Sequence, residues 1–258
     1  MTMIELMHIL PALAPFILIG FAAQMVDGAL GMAYGVISST LLITMGVHPK
    51  AASAGVHAAE TCTTAVSAIS HIYHRNLDWK LFVRLVIPGI IGGVSGAYLL
   101  SNIDSSAVKP LVQTYLAAIG LWLLWRSTHV IHPTGNPKIV GPLGLIGGFL
   151  DASGGGGWGP VVTSNLLLQG SNPRMTIGTV NTAEFLLTLS ISATFLVNLG
   201  WQAFTLATTG LLIGGVIAAP FGAYLAKRIP SNRLLFLVGT VLTLTSAYGV
   251  AKSLGVLG

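Results

Sequence analysis

Apolar residues run along the chain in ten stretches, near 10–26, 31–46, 50–73, 80–100, 107–125, 139–151, 157–169, 174–199, 203–226 and 232–251. Their length and continuity fit buried or membrane helices better than half-exposed strands. Turn formers punctuate them: Asn76 and Asp78, Asn102 to Ser106, Thr134 to Lys138, and Pro230 to Asn232. The longest connector, Arg126 to Lys138, divides the chain near its middle. The pattern predicts an all-α polytopic membrane protein with five apolar segments on each side of that connector.

The two sides are related. Residues 27–60 laid on 151–184, an offset of 124 without a gap, give nine identities: Asp27/Asp151, Gly31/Gly155, Gly35/Gly159, Leu42/Leu166, Gly46/Gly170, Pro49/Pro173, Val56/Val180, Ala59/Ala183 and Glu60/Glu184. Composition alone gives about three, so a duplication is the better account. Farther along, Gly-Ala-Tyr-Leu at 96–99 recurs at 222–225. The expected organisation is a first membrane repeat at 1–126, a cytoplasmic connector at 127–138 and a second membrane repeat at 139–258.

Five segments per half put the second half in the membrane upside down relative to the first, the inverted-repeat plan of many secondary transporters. The basic residues agree. With the N-terminus on one side, the other side carries Arg75, Lys80, Arg84, Arg126, Lys138, Arg174, Lys227, Arg228 and Arg233, against Lys50, Lys109 and Lys252. The positive-inside rule makes the richer side cytoplasmic and places both termini outside the cytoplasm. The expected location is the cytoplasmic (inner) membrane.

The first two segments of each half read as too short to cross. A helix from Pro11 to Val26 rises about 24 Å, one from Gly31 to Met45 about 22 Å, and their counterparts at 139–150 and 158–169 about 18 Å each. A hydrocarbon core is about 30 Å thick. Each pair is therefore expected to form a re-entrant or broken-helix hairpin, with the two tips meeting near the midplane.

Composition strengthens this picture. Only 7% of the 258 residues are charged, against about 25% in an ordinary soluble domain. The net charge of +5 belongs to the short connectors, so it reads as topology and not as nucleic-acid binding. The single Cys62 has no intrachain disulfide partner. No Lys or Arg precedes the first apolar stretch, which argues against a cleaved signal peptide.

The expected hairpin tips, VDGALGMAYG (26–35) and LDASGGGGWG (150–159), are where chemistry concentrates. A Gly-rich break at membrane depth is tolerated where it is buried in protein or lines a cavity. The helix that follows begins with free N–H groups and the positive end of its dipole, an anion site that needs no Lys or Arg. Gly28, Gly31, Gly154, Gly155, Gly156 and Gly157 are the candidate substrate-binding positions. Close helix packing by small residues is the alternative. No Gly-Lys-Ser/Thr follows either tip, so neither is a phosphate-binding P-loop.

Of seven acidic residues, four are the matched Asp27, Asp151, Glu60 and Glu184. Each Glu falls mid-helix, where a charge costs about 2.5–3.5 kcal/mol on insertion scales. A structural bond to unwound backbone and proton coupling both remain open for them. Asp27 and Asp151 read first as caps for the helices after the breaks, since an ionised Asp repels an anion. A polar stripe at helical spacing (Ser53, His57, Glu60, Thr64, Ser67 and His71) has a counterpart in Asn181, Glu184, Thr188 and Ser192, and both faces are expected to look inward, toward the hairpins. His57 and Asn181, matched positions, are candidate hydrogen-bond donors to a ligand. Ser38, Ser39, Thr163, Ser164 and Asn165 are weaker candidates.

The chain resembles the TauE/SafE membrane proteins, sulfite and organosulfonate exporters. The likeness rests on GFAAQMVDGALGMAYG (20–35), the Gly-x-x-Pro bend at Gly46 to Pro49, the helix after it, and the same order in the second half. It covers essentially the whole chain. The first tip has Val36 where the second has Pro160, and Gly154 to Gly157 is denser than its counterpart. The resemblance implies a secondary exporter of a small sulfur anion such as sulfite or sulfoacetate. Its partners are then that anion and the lipid bilayer, with no cofactor, no resident metal and no nucleic acid; monomer and homodimer both remain open. A proton- or metal-cation-coupled transporter using the acidic residues and His57 is the alternative. An intramembrane enzyme is disfavoured by the lack of Gly-x-Gly-Asp, Gly-x-Ser-Gly and His-Glu-x-x-His.

Overall fold

The computed structural model describes residues 3–30, 32–103, 105–129, 137–169, 173–228 and 230–254. Helices fill the first half as α1 (Met3–Leu30), α2 (Tyr34–Thr44), α3 (Pro49–Tyr73), α4 (Trp79–Asn102) and α5 (Ser105–Thr128). The second half has α6 (Val140–Gly154), then a π-helical stretch (Trp158–Thr163) running directly into α7 (Ser164–Leu168). It continues with α8 (Pro173–Leu199), a 3-10 turn (Trp201–Ala203), α9 (Leu206–Arg228) and α10 (Ser231–Ser253). No strand occurs among the described residues. Among the described residues, five stretches are long and apolar enough to cross a bilayer: Pro11–Gly28, Trp79–Asn102, Val108–Thr128, Met175–Leu199 and Leu235–Lys252. Ile69, Leu111, Val197 and Leu237 point outward among many other exposed large apolar side chains, as lipid as solvent allows.

One expected length changes. α1 has 28 residues, a rise of about 42 Å, so the first segment is not too short to cross. The reading at 10–26 ended it at Asp27, but Asp27 lies inside the helix and its carboxylate reaches forward, leaving the helical turn around it intact. The remaining hairpin arms are short: α2 has 11 residues and α6 has 15, about 16 and 22 Å. The arm after the second break opens with the wider π winding, and Pro160, which has no N–H to give, sits within it.

The bends are set locally. α2 ends where Gly46 turns to φ 95°. The Gly46 and Val47 amides donate back to Ile43 and Leu42 at 3.0 and 2.9 Å, a glycine-terminated cap. α3 then starts with Pro49 in its first turn, where the missing N–H costs nothing.

The halves interlock. α1 packs along α9 and α6 along α4, so each leading helix lies on the other half, while α3 packs on α8 and α5 on α10. Glycines let backbones touch: Gly20 lies on the Leu211 backbone and Gly144 on the Leu85 backbone. Gly20 and Gly144 match at an offset of 124, and Leu85 and Leu211 at the offset of 126 that relates 96–99 to 222–225. The two contacts are thus one contact seen from each half. Tyr34 against Gly215 and Trp158 against Gly89 form a second such pair. Thr64 Oγ1 stands 3.5 Å from Thr188 Oγ1, its own counterpart. Residues matched by the repeat thus meet in reciprocal pairs across the two halves.

Candidate functional site

Both helix breaks end in the centre of the molecule, and their backbones meet there. A Cβ on Gly35 would stand 3.0 Å from Gly156 Cα and 3.3 Å from Glu60 Oε1. A Cβ on Gly159 would stand 2.9 Å from Met32 Cα. The Ser39 hydroxyl donates to the Gly155 carbonyl. Gly35 with Gly156 and Gly159 with Met32 are again the same contact from each side. Gly154 to Gly157 are all buried. Gly155 adopts φ 74° and closes α6 by donating to Asp151 O, and Gly156, at φ 145°, donates there too at 2.9 Å. Side chains disfavour both conformations.

Each break is bridged by its aspartate. Asp27 Oδ1 accepts the Tyr34 N–H at 3.2 Å, and Asp151 Oδ1 accepts the Trp158 N–H at 2.9 Å. The span is seven residues both times. A carboxylate here satisfies an amide that α2 or the π stretch cannot satisfy internally. The aromatic residues that begin these arms are anchored in turn, Tyr34 Oη donating to Leu211 O at 3.2 Å and Trp158 Nε1 to Val180 O at 3.3 Å.

The matched glutamates approach the breaks from α3 and α8. Glu60 is buried beside Gly35, and its Oε2 has no hydrogen-bond partner among the described residues. Glu60, Glu184, Asp27 and Asp151 lie within electrostatic range of one another, which gathers all four acidic residues singled out by the repeat.

His57 and Asn181 part ways despite matching. His57 is fully buried; its Nε2 lies 3.0 Å from Asp151 Oδ2 and its Nδ1 lies 2.7 Å from Ser53 O. Ser53 Oγ donates to Ala152 O at 2.7 Å. α3 thus grips the second break through two residues one turn apart. Asn181 instead donates to Ser67 Oγ at 3.3 Å, and Thr61 Oγ1 meets Ser192 Oγ at 3.4 Å. Beyond Glu60 the two polar stripes face each other and not the tips. Gly28 is exposed near the end of α1, and Gly31 lies outside the described residues.

Tyr115 on α5 completes the second break and had no sequence signal. Its hydroxyl donates to Gly156 O at 2.9 Å, and its ring packs on Gly154. Behind it lies an apolar cavity of about 220 Å³ bordered by Leu100, Val112, Tyr115, Leu150 and Gly154. Ser53 was legible as one turn before His57, but nothing in the sequence tied it to Ala152. Among the described residues, no three His, Cys, Asp or Glu side chains converge as metal ligands, and Cys62 is exposed.

Apolar helices long enough to span, two interlocked halves and a central pair of broken helices with buried and half-buried carboxyl groups beside them define a polytopic membrane transporter. The family model described as "Sulfite exporter TauE/SafE" matches residues 16–249, and the chain belongs to that family. It is also 43% identical over 241 residues to the "Probable membrane transporter protein YtnM" of Bacillus subtilis (strain 168), covering 90% of this chain and 80% of that protein. No solved structure matches it significantly.

Proposed function

We propose that the protein exports a small sulfur oxyanion, sulfite or a short sulfonate such as sulfoacetate, across the cytoplasmic membrane, holding it where the two breaks meet. The observation that carries this reading is the pair of aspartate bridges. The Tyr34 and Trp158 amides each bind an anionic oxygen already, Asp27 Oδ1 and Asp151 Oδ1. A sulfite or sulfonate group offers the same kind of oxygen, so the breaks have the donors such a substrate needs. The family's description supplies the sulfur chemistry.

The reciprocal contacts of the two halves support an inverted-repeat arrangement, with the short arms as re-entrant hairpins entering from opposite faces. Export then proceeds by one half rocking against the other around the tips. An inside-negative potential of 100 mV favours exit of a monovalent anion by about 2.3 kcal/mol, roughly fifty-fold in concentration ratio. The metal-cation alternative draws no support from the exposed Cys62 or from the arrangement of the acidic groups.

Proteoliposomes loaded with labelled sulfite or sulfoacetate test the proposal. Saturable efflux that quickens under an imposed potential is the expected result; no saturable flux of either anion overturns it.

A further inference from the structure

The hydrogen bonds of His57 fix how many protons the second break holds. Ser53 O is a carbonyl and can only accept, so at 2.7 Å His57 Nδ1 carries a hydrogen and donates it. The contact of Nε2 with Asp151 Oδ2, 3.0 Å long and buried on both sides, needs a hydrogen too. It rides on the imidazole facing a carboxylate, or on the carboxyl facing a neutral imidazole. In either form the pair holds one proton more than a neutral His beside an ionised Asp.

Removing that proton leaves a single N–H on the ring, and each tautomer then costs a contact. With the hydrogen on Nδ1, the Nε2 lone pair faces the Asp151 carboxylate. With it on Nε2, the Nδ1 lone pair faces the Ser53 carbonyl. Among the described residues, the donor within reach is then the Ser53 hydroxyl at 3.3 Å. That hydroxyl has one hydrogen, which it gives to Ala152 O. Turning it to His57 releases Ala152. Both His57–Asp151 and Ser53–Ala152, which tie α3 to the end of α6, then survive together only with the Nδ1 lone pair held against the Ser53 carbonyl; every other arrangement loses one of them.

We propose that His57 and Asp151 form a proton-binding site that holds the second break on α3 most firmly when occupied and loosens it when the proton leaves. The repeat sharpens this assignment. Asn181 stands at the position of His57 in the second repeat, and its amide is turned to Ser67, so among the described residues this pair has no counterpart in the other half. Other ionisable groups in electrostatic range of the pair are Glu60 on α3, Glu184 on α8 and Tyr115 on α5, with Asp27 on α1 reaching the two glutamates. All are acidic or phenolic, and none of them is a cation.

The site goes beyond sulfur-anion export and does not rest on it, so its test contains no substrate. Amide hydrogen exchange is measured by mass spectrometry on the full chain in lipid nanodiscs between about pH 5 and pH 9, a range that brackets imidazole titration, and corrected for intrinsic rates. In the wild type, exchange over residues 151–158 should quicken at least about tenfold from the acid to the alkaline end. Asp151→Asn keeps an oxygen for the Trp158 amide and offers its own N–H to a neutral Nε2. That variant should stay protected at the acid-form level throughout. His57→Asn, which binds no proton, should show no pH dependence. Wild-type exchange that is flat across the range, or an Asp151→Asn protein that follows pH as the wild type does, overturns the proposal.

Discussion

Asp27 and Asp151 each accept from the amide seven residues ahead, and that span explains how an acidic group stays at the end of an apolar helix. Asp27→Ala should destabilise the protein by about 0.5–2 kcal/mol, the usual worth of a capping side chain. Asp27→Asn keeps the accepting oxygen and should cost distinctly less; thermal unfolding in nanodiscs separates the two. His48, in the bend before α3, offers a pH test. Its Nδ1 accepts the Lys50 amide at 3.3 Å. Burial, helped by the charges of Lys50 and Lys109, holds its pKa below the ordinary 6.5. A depressed pKa means the folded protein disfavours the proton. The cap's contribution is therefore full above about pH 6.5 and lost as pH falls through the lowered value. His48→Asn should remove that acid-side component from a plot of melting temperature against pH. At this scale the repeat exposed the carboxyls well, because identical residues at a fixed offset stand out. It hid the His57 contact, because the matched Asn181 has a different partner and Asp151 is 94 residues away from His57.

Helix contacts in this protein are set by glycines against main chain. Gly148 on α6 lies on the Gly89 carbonyl, with the Gly93 nitrogen 3.1 Å from where a Cβ would stand; for Gly141 the nearest atom is Pro88 Cγ at 4.0 Å. Gly148→Ala should cost about 1–3 kcal/mol by overpacking. Gly141→Ala meets only ordinary contact and should gain a little from helix propensity, up to about 1 kcal/mol. Opposite shifts in unfolding temperature are expected; equal shifts would show that α4 and α6 are not held this tightly. Gly92 and Gly96, at a small-residue spacing suited to helix packing, both lie on the α6 backbone. The length of α1 was not legible in the sequence, since an Asp in an apolar run looks like a stop when its partner across the break is unseen. The π winding was equally hidden, because Pro160 breaks an α-helical ladder on paper without saying what replaces it.

Across the whole molecule, the reciprocal contacts make the inverted arrangement testable from outside. Reporters that work only in one compartment, fused to each terminus in turn, should both report the non-cytoplasmic side; one cytoplasmic terminus would overturn the arrangement. The halves differ at the breaks: His57 and Tyr115 add bonds to the second one, while Asn181, at the position of His57, turns to Ser67. The sequence showed the duplication plainly but could not show which half carried the extra bonds, since those come from residues with no matched partner. The meeting of Gly35, Gly156 and Gly159 with main chain across the centre has an evolutionary consequence as well. A contact made of bare backbone offers mutation almost no alphabet, because the space there is narrower than a methyl group. A duplicated gene can drift elsewhere in each copy, toward new cargo or new control, but at these three codons the copies remain bound to each other's shape.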